Sequence, residues 1–289
     1  MKRTRSQTKA NSNPDDSQSP SSIKSTTATP STKISFRARK IPRLNRDTDT
    51  VDNKETKASA STHSLFSPMI AKPLTCKGEI EVALNHLRNA DHLLATCIDT
   101  FRPPHFFTDR APFVSLTKSI ISQQLSNKAS DAIETRFVSL CGGLSAVLPD
   151  VVLALSPQQL RQVGISGPKA TYLHDLSTKF ADGVLSDSSI LEMDDETLHN
   201  KLTMVKGIGP WSVHMFMIFT LHRPDVLPVG DLVVRRGVER LYGLKGLPLP
   251  SEMEHLCQKW KPYRSVGSWY MYRLVEAKGV LPRPTPPVL

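Results

Sequence analysis

A lone carboxylate, Asp231, follows Leu227-Pro228-Val229-Gly230 and lies 22 residues after Gly209, the second glycine of Val205-Lys206-Gly207-Ile208-Gly209-Pro210-Trp211. Two glycines between apolar helical runs allow φ > 0 and close approach of another backbone. The amides and positive dipole end of the next helix then suit an anion, so Gly207, Ile208 and Gly209 are candidate phosphate contacts. A carboxylate near such a grip can stabilise a developing positive charge or deprotonate an attacking water. The plainer role is helix capping, because Asp231 precedes the helical run Leu232–Tyr242 and Asp is a favoured N-cap. The two roles are compatible.

These residues need a scaffold, and the pattern supplies helices. Ile80, Ala83, Leu84, Leu87, Ala90, Leu93 and Leu94 recur at helical spacing and predict one amphipathic helix to about Ile98. A second begins after Pro112, and Ser126 caps a third that ends at Gly142-Gly143. Ser156-Pro157-Gln158-Gln159 opens a short helix, and Gly167-Pro168 opens one carrying Ala170, Leu173, Leu176 and Phe180. Asp194 or Asp195 starts the helix leading into the glycine hairpin. Trp211 through Leu221 is almost wholly apolar and reads as a buried helix. After Leu232–Tyr242 come helices from Ser251 to Trp260 and from Trp269 to Lys278. No segment alternates convincingly as a strand, so the fold class is all-α.

The 289 residues divide unevenly in charge. Of the chain's 37 Lys/Arg and 27 Asp/Glu, residues 1–75 carry 14 and 6, leaving a near-neutral remainder of 23 and 21. Residues 1–75, rich in Ser, Thr and Pro, are predicted to be a disordered basic tail. Residues 76–283 form the folded domain and 284–289 a proline-rich end. Lys2-Arg3-Thr4-Arg5 and Arg37-Ala38-Arg39-Lys40-Ile41-Pro42-Arg43 match nuclear-import clusters, or serve only as solvated charge. Cys76, Cys97, Cys141 and Cys257 show no metal-ligand spacing and read as reduced packing residues. No apolar run is long enough to span a bilayer.

Five segments in order resemble the alkyl-base branch of the helix-hairpin-helix DNA glycosylases, the DNA-3-methyladenine glycosylase II family. They are Ile120-Ile121-Ser122-Gln123-Gln124-Leu125-Ser126, Gly164-Ile165-Ser166 with Lys169-Ala170-Thr171-Tyr172-Leu173, the hairpin, Leu227–Asp231, and Trp260-Lys261-Pro262-Tyr263-Arg264-Ser265. The resemblance runs from about Gly78 to Arg283. It implies two helical subdomains flanking a DNA-binding cleft, with Asp231 catalytic and with Trp211 and Tyr272 lining the base pocket. Gln124 or Leu125 would be the wedge that fills the gap left by a flipped base. Lys169 would touch a phosphate, although a solvated lysine is the ordinary alternative. Relatives with lyase activity carry a lysine nucleophile two residues after the second hairpin glycine. Here that residue is Trp211, which cannot form a Schiff base. The resemblance further implies a monomer acting on double-stranded DNA with damaged bases in the nucleus, without membrane attachment. No cofactor or catalytic metal is required. The family's potassium or sodium ion at the hairpin carbonyls is the one ion it adds, and the four-cysteine iron–sulfur cluster of some relatives lacks its ligands here. Against this monofunctional reading stand a bifunctional glycosylase/lyase for oxidised bases and a non-catalytic DNA-docking module.

Overall fold

A computed structural model describes residues 71–107 and 110–277. Most of the basic tail, both candidate import clusters and the proline-rich end lie outside the described residues. Leu74 is already part of the packed domain: it is buried, and its N–H donates to the His222 carbonyl at 2.9 Å. Among the described residues the regular elements are thirteen α-helices and two 3-10 turns, with no strand. No helix there is long and apolar enough to cross a membrane.

Two apolar cores organise the helices. The described residues open with α1 (Glu79–Ala90) and α2 (His92–Thr100). It then builds a separate subdomain from α3 (Pro112–Ser122), α4 (Asn127–Cys141), α5 (Pro149–Ala154), α6 (Pro157–Gln162), α7 (Gly167–Ala181), α8 (Asp187–Glu192), α9 (Asp195–Thr203) and α10 (Pro210–Phe219). It returns to the first core with α11 (Leu232–Tyr242), α12 (Pro250–Leu256) and α13 (Arg264–Glu276). Ile120, Leu173, Leu198 and Val213 belong to the middle core, and Leu87, Leu94, Val238, Trp260 and Met271 to the other. Asp231 is reached on the return path, where the chain passes from one core to the other.

The expected single helix over Ile80–Ile98 is two. Asp91 interrupts it in an extended conformation, with φ −147°. Its Oδ1 caps α2 by accepting from the Leu93 and Leu94 amides, while Oδ2 accepts from the Tyr242 hydroxyl and from Trp260 Nε1 at 2.8 Å. Burial alone would raise the pKa of this carboxyl. The hydrogen bonds from Tyr242 and Trp260, together with the Lys259 ammonium 3.3 Å away, hold it below the usual carboxylate range. The apolar stripe survives the break because both helices bury it in the same core.

Other boundaries also differ from the sequence expectation. The helix expected from Ser251 starts at Pro250, where Glu252 accepts from the Leu249 amide, and its last turn tightens into a 3-10 segment at Gln258–Trp260. The last helix starts at Arg264 and not Trp269. Gly267 lies inside it because the Trp260 indole packs against the backbone there, and a Cβ would come within 2.5 Å of the ring. The six-residue helices α5 and α8 add to those expected from the sequence.

One glycine bears directly on the site. A Cβ on Gly237 would lie 2.5 Å from Met271 Cβ and 2.8 Å from its Cα. Its absence lets α11 and α13 pack backbone to backbone. This close approach brings Tyr272, next to Met271, onto Asp231 at the start of α11.

Candidate active site

The hairpin is held from below. Gly207 takes φ +80°, and a Cβ on it would overlap the Tyr172 ring of α7. Ile208 between the glycines is buried, which pins the turn to the middle core. Gly209 is the N-cap residue of α10, Pro210 fills the first helical position, and no side chain caps the helix. The three expected phosphate contacts therefore share one turn at a helix N-terminus, where amides and dipole favour an anion.

The apolar helix α10 is buried on one side only. Val213, Phe216, Met217 and Ile218 enter the core, whereas Trp211 is 52% and Phe219 45% exposed. Trp211, Met215 and Phe219 are spaced four residues apart, so they share one face. That face meets α13: the Phe219 and Tyr272 ring centroids are 6.2 Å apart, and Met215 Sδ lies 3.4 Å from the Tyr272 hydroxyl. Met215 and Phe219 were not singled out from the sequence, although the four-residue step from Trp211 was the signal available.

Asp231 joins this face with a division of labour between its oxygens. Oδ1 accepts from the Val233 and Val234 amides, both at 2.8 Å, and so caps α11. Oδ2 accepts from Trp211 Nε1 at 2.6 Å and from the Tyr272 hydroxyl at 3.0 Å. The carboxylate is 5% exposed, so its charge sits among fixed donors. Burial, followed by the neighbouring Asp231 charge, pushes the Tyr272 phenol well above its ordinary pKa, which keeps it a protonated donor.

The structure places the remaining sequence candidates as follows. Gln124 is exposed and takes φ +57°, a left-handed conformation uncommon for a side-chain-bearing residue, and Leu125 beside it is 37% exposed. Both lie exposed on the loop after α3. Lys169 faces that loop: its ammonium donates to the carbonyls of Ile121 at 2.8 Å and Gln123 at 2.7 Å. Lys206 turns to Asp175, with Nζ 3.6 Å from Oδ1. His214 is half-buried beside His199, and burial lowers its pKa. Trp260, Tyr270 and Phe216 are core residues, and Trp269 is half-buried. Cys97, Cys141 and Cys257 are buried, and burial pushes their thiols up to about 11, 11 and 12. No group of three or more His, Cys, Asp or Glu side chains able to hold a metal occurs among the described residues.

Residues 117–262 match the model of the HhH-GPD superfamily of base excision DNA repair proteins. The chain belongs to the HhH-GPD superfamily. DNA-3-methyladenine glycosylase 1 of Schizosaccharomyces pombe is 28% identical over 201 residues, spanning 69% of this chain and 88% of that protein. The crystal structure of a DNA-3-methyladenine glycosidase from Bacillus halodurans superposes with a TM-score of 0.62 at 33% identity, covering 68% of this chain and 89% of the other. A Schizosaccharomyces pombe 3-methyladenine DNA glycosylase in complex with abasic DNA gives 0.58 at 28% identity, covering 66% and 95%. The HhH-GPD match takes in the Gln123–Ser126 loop, the hairpin, Trp211 and Asp231. Tyr272 lies beyond it and joins the site through α13.

Proposed function

We propose that this HhH-GPD protein is a monofunctional DNA glycosylase, an N-glycosyl hydrolase that removes alkylated bases and leaves an abasic site. The observation that carries this reading is the placement of Asp231 Oδ2 against Trp211 and Tyr272, at the edge of an exposed aromatic face and one helix beyond the hairpin.

The hairpin holds a phosphate of double-stranded DNA through the Gly207–Gly209 turn and the start of α10. The damaged base leaves the stack at a cost of a few kcal/mol, and Gln124 or Leu125 fills the gap. An alkylated purine carries positive charge, and each electron-rich ring of the face attracts it by about 0.5–2 kcal/mol. Trp211, Phe219 and Tyr272 supply such rings. The charged purine is already a good leaving group. The C1′–N bond breaks with its electron pair going to the base, and positive charge develops on the sugar. Asp231 stabilises that charge or takes a proton from the water whose oxygen bonds to C1′. No amine stands at position 211 to form a Schiff base, and Lys206 is drawn off to Asp175, so the strand remains uncut.

A potassium or sodium ion at the hairpin would be held by its carbonyls and would add countercharge to the phosphate. Those of Val205 and Gly207 already accept from the Ile208 amide and from Gln123 Nε2, and each keeps a second lone pair. In the same reading residues 1–75 tether the enzyme to DNA or carry it to the nucleus.

Incubation with methylated duplex DNA tests the function. The expected result is free alkylated base with strands that break only after alkali. Nicking before alkali would indicate lyase chemistry, and tight binding without release would indicate a docking module.

A further inference from the structure

The helix α7 touches both of the expected DNA-contacting loops. Its buried row, Ala170, Leu173 and Leu176, fixes it in the middle core. Flanking that row, residues at three-residue steps point to different parts of the DNA face. Lys169 donates to the Ile121 and Gln123 carbonyls, which lie at the C-terminal end of α3 where helical partners have run out. Tyr172 lies under Gly207 and fills the space where a Cβ would be. Asp175 Oδ2 accepts from the Lys206 amide at 2.9 Å. The circle closes through Gln123, whose Nε2 donates to the Gly207 carbonyl at 2.7 Å.

From this circuit we infer that Lys169, Tyr172, Asp175 and Gln123 are positioning residues that lock the Gln124–Leu125 loop to the phosphate-gripping hairpin. Base eversion requires the wedge to enter the duplex at a fixed offset from the held phosphate. A loop tied to the hairpin only through flexible chain would lose that offset. Two of the three Lys169 donors are spent on carbonyls at the end of α3 and the start of the loop, and burial lowers the lysine's pKa. This assigns Lys169 to the loop rather than to a phosphate. The left-handed Gln124 lies directly after the carbonyl that Lys169 holds, so the same contact supports the strained residue.

This inference rests on the glycosylase reading, and its test separates the two. Lys169→Met and Gln123→Ala are compared with wild type in the full-length chain. Methylated DNA is offered as duplex and as single strand, since a single strand needs no unpairing. Both variants are expected to lose about 2- to 30-fold in release from duplex, the range for breaking a coupling network, while release from single strand stays near wild type. Lys169→Arg keeps donors and is expected to recover part of the duplex rate. The slope of log K against log salt on duplex with an abasic analogue is expected to match wild type for Lys169→Met. A slope shallower by about 0.9 would mean a lost phosphate contact and would overturn the assignment. Equal losses on both DNAs, or a wild-type duplex-to-single-strand ratio in Gln123→Ala, would also overturn it. Wild-type protein that released no base from either DNA would refute the glycosylase reading, whereas the salt slope, which needs no turnover, would still decide the role of Lys169.

Discussion

Asp231→Asn is expected to lower single-turnover base release by about 10²–10⁴-fold, the usual contribution of a positioned acid or base, while binding to abasic DNA survives. The two oxygens explain why the change separates chemistry from folding. An asparagine oxygen in the Oδ1 position still accepts from the Val233 and Val234 amides, so α11 keeps its cap. The amide nitrogen then occupies the Oδ2 position and meets Trp211 Nε1, which is also a donor. The charge is lost and the Trp211 contact opens, so release falls through both. Near-normal release by a folded variant would leave Asp231 as a helix cap only.

Gly207→Ala is expected to damage the DNA grip. A side-chain-bearing residue at φ +80° costs about 1–2 kcal/mol, and here the new methyl group also runs into the Tyr172 ring. Relief requires the hairpin to lift from α7, which moves the amides proposed to hold the phosphate and strains the Gln123 bond to the Gly207 carbonyl. Affinity for abasic DNA is expected to fall at least about tenfold, equivalent to 1.4 kcal/mol, with a lowered melting temperature. Wild-type affinity in this variant would mean that the turn does not hold the DNA.

Local chemistry made much of this architecture readable in the sequence. Ser126 and Ser156 cap the helices expected of them, and Leu232–Tyr242 is a helix with the expected bounds because Asp231 and Gly243 mark its two ends. Asp231 at the start of α11 followed from the same signals. The division of the first helix was hidden inside a continuous apolar stripe: Asp91 caps α2 locally, but its anchors Tyr242 and Trp260 lie more than 150 residues away in sequence. The last helix begins five residues earlier than expected, and Gly267 inside it is a packing contact with Trp260. The exposed face of α10 was masked by composition, since an all-apolar helix gives no periodicity to show which side stays open. Lys169 had a residue type suited to phosphate, and only the fold reveals the carbonyls that occupy it. Tyr272 follows from the family resemblance alone, and the close Gly237–Met271 approach explains physically how it reaches Asp231.

The proposed placement of Trp211 and Asp231 at the reacting sugar is open to one direct measurement. Trp211→Lys would put an amine where the indole nitrogen now lies 2.6 Å from Asp231, in the position lyase-competent relatives use. Borohydride reduction on abasic-site DNA reports whether that amine reaches the sugar carbon. The expected result is a covalent protein–DNA adduct above the wild-type background, together with weakened release of alkylated bases because an aromatic face is gone. No adduct, with excision at the wild-type rate, would place residue 211 away from the reacting centre and contradict the assignment of this face as the base pocket.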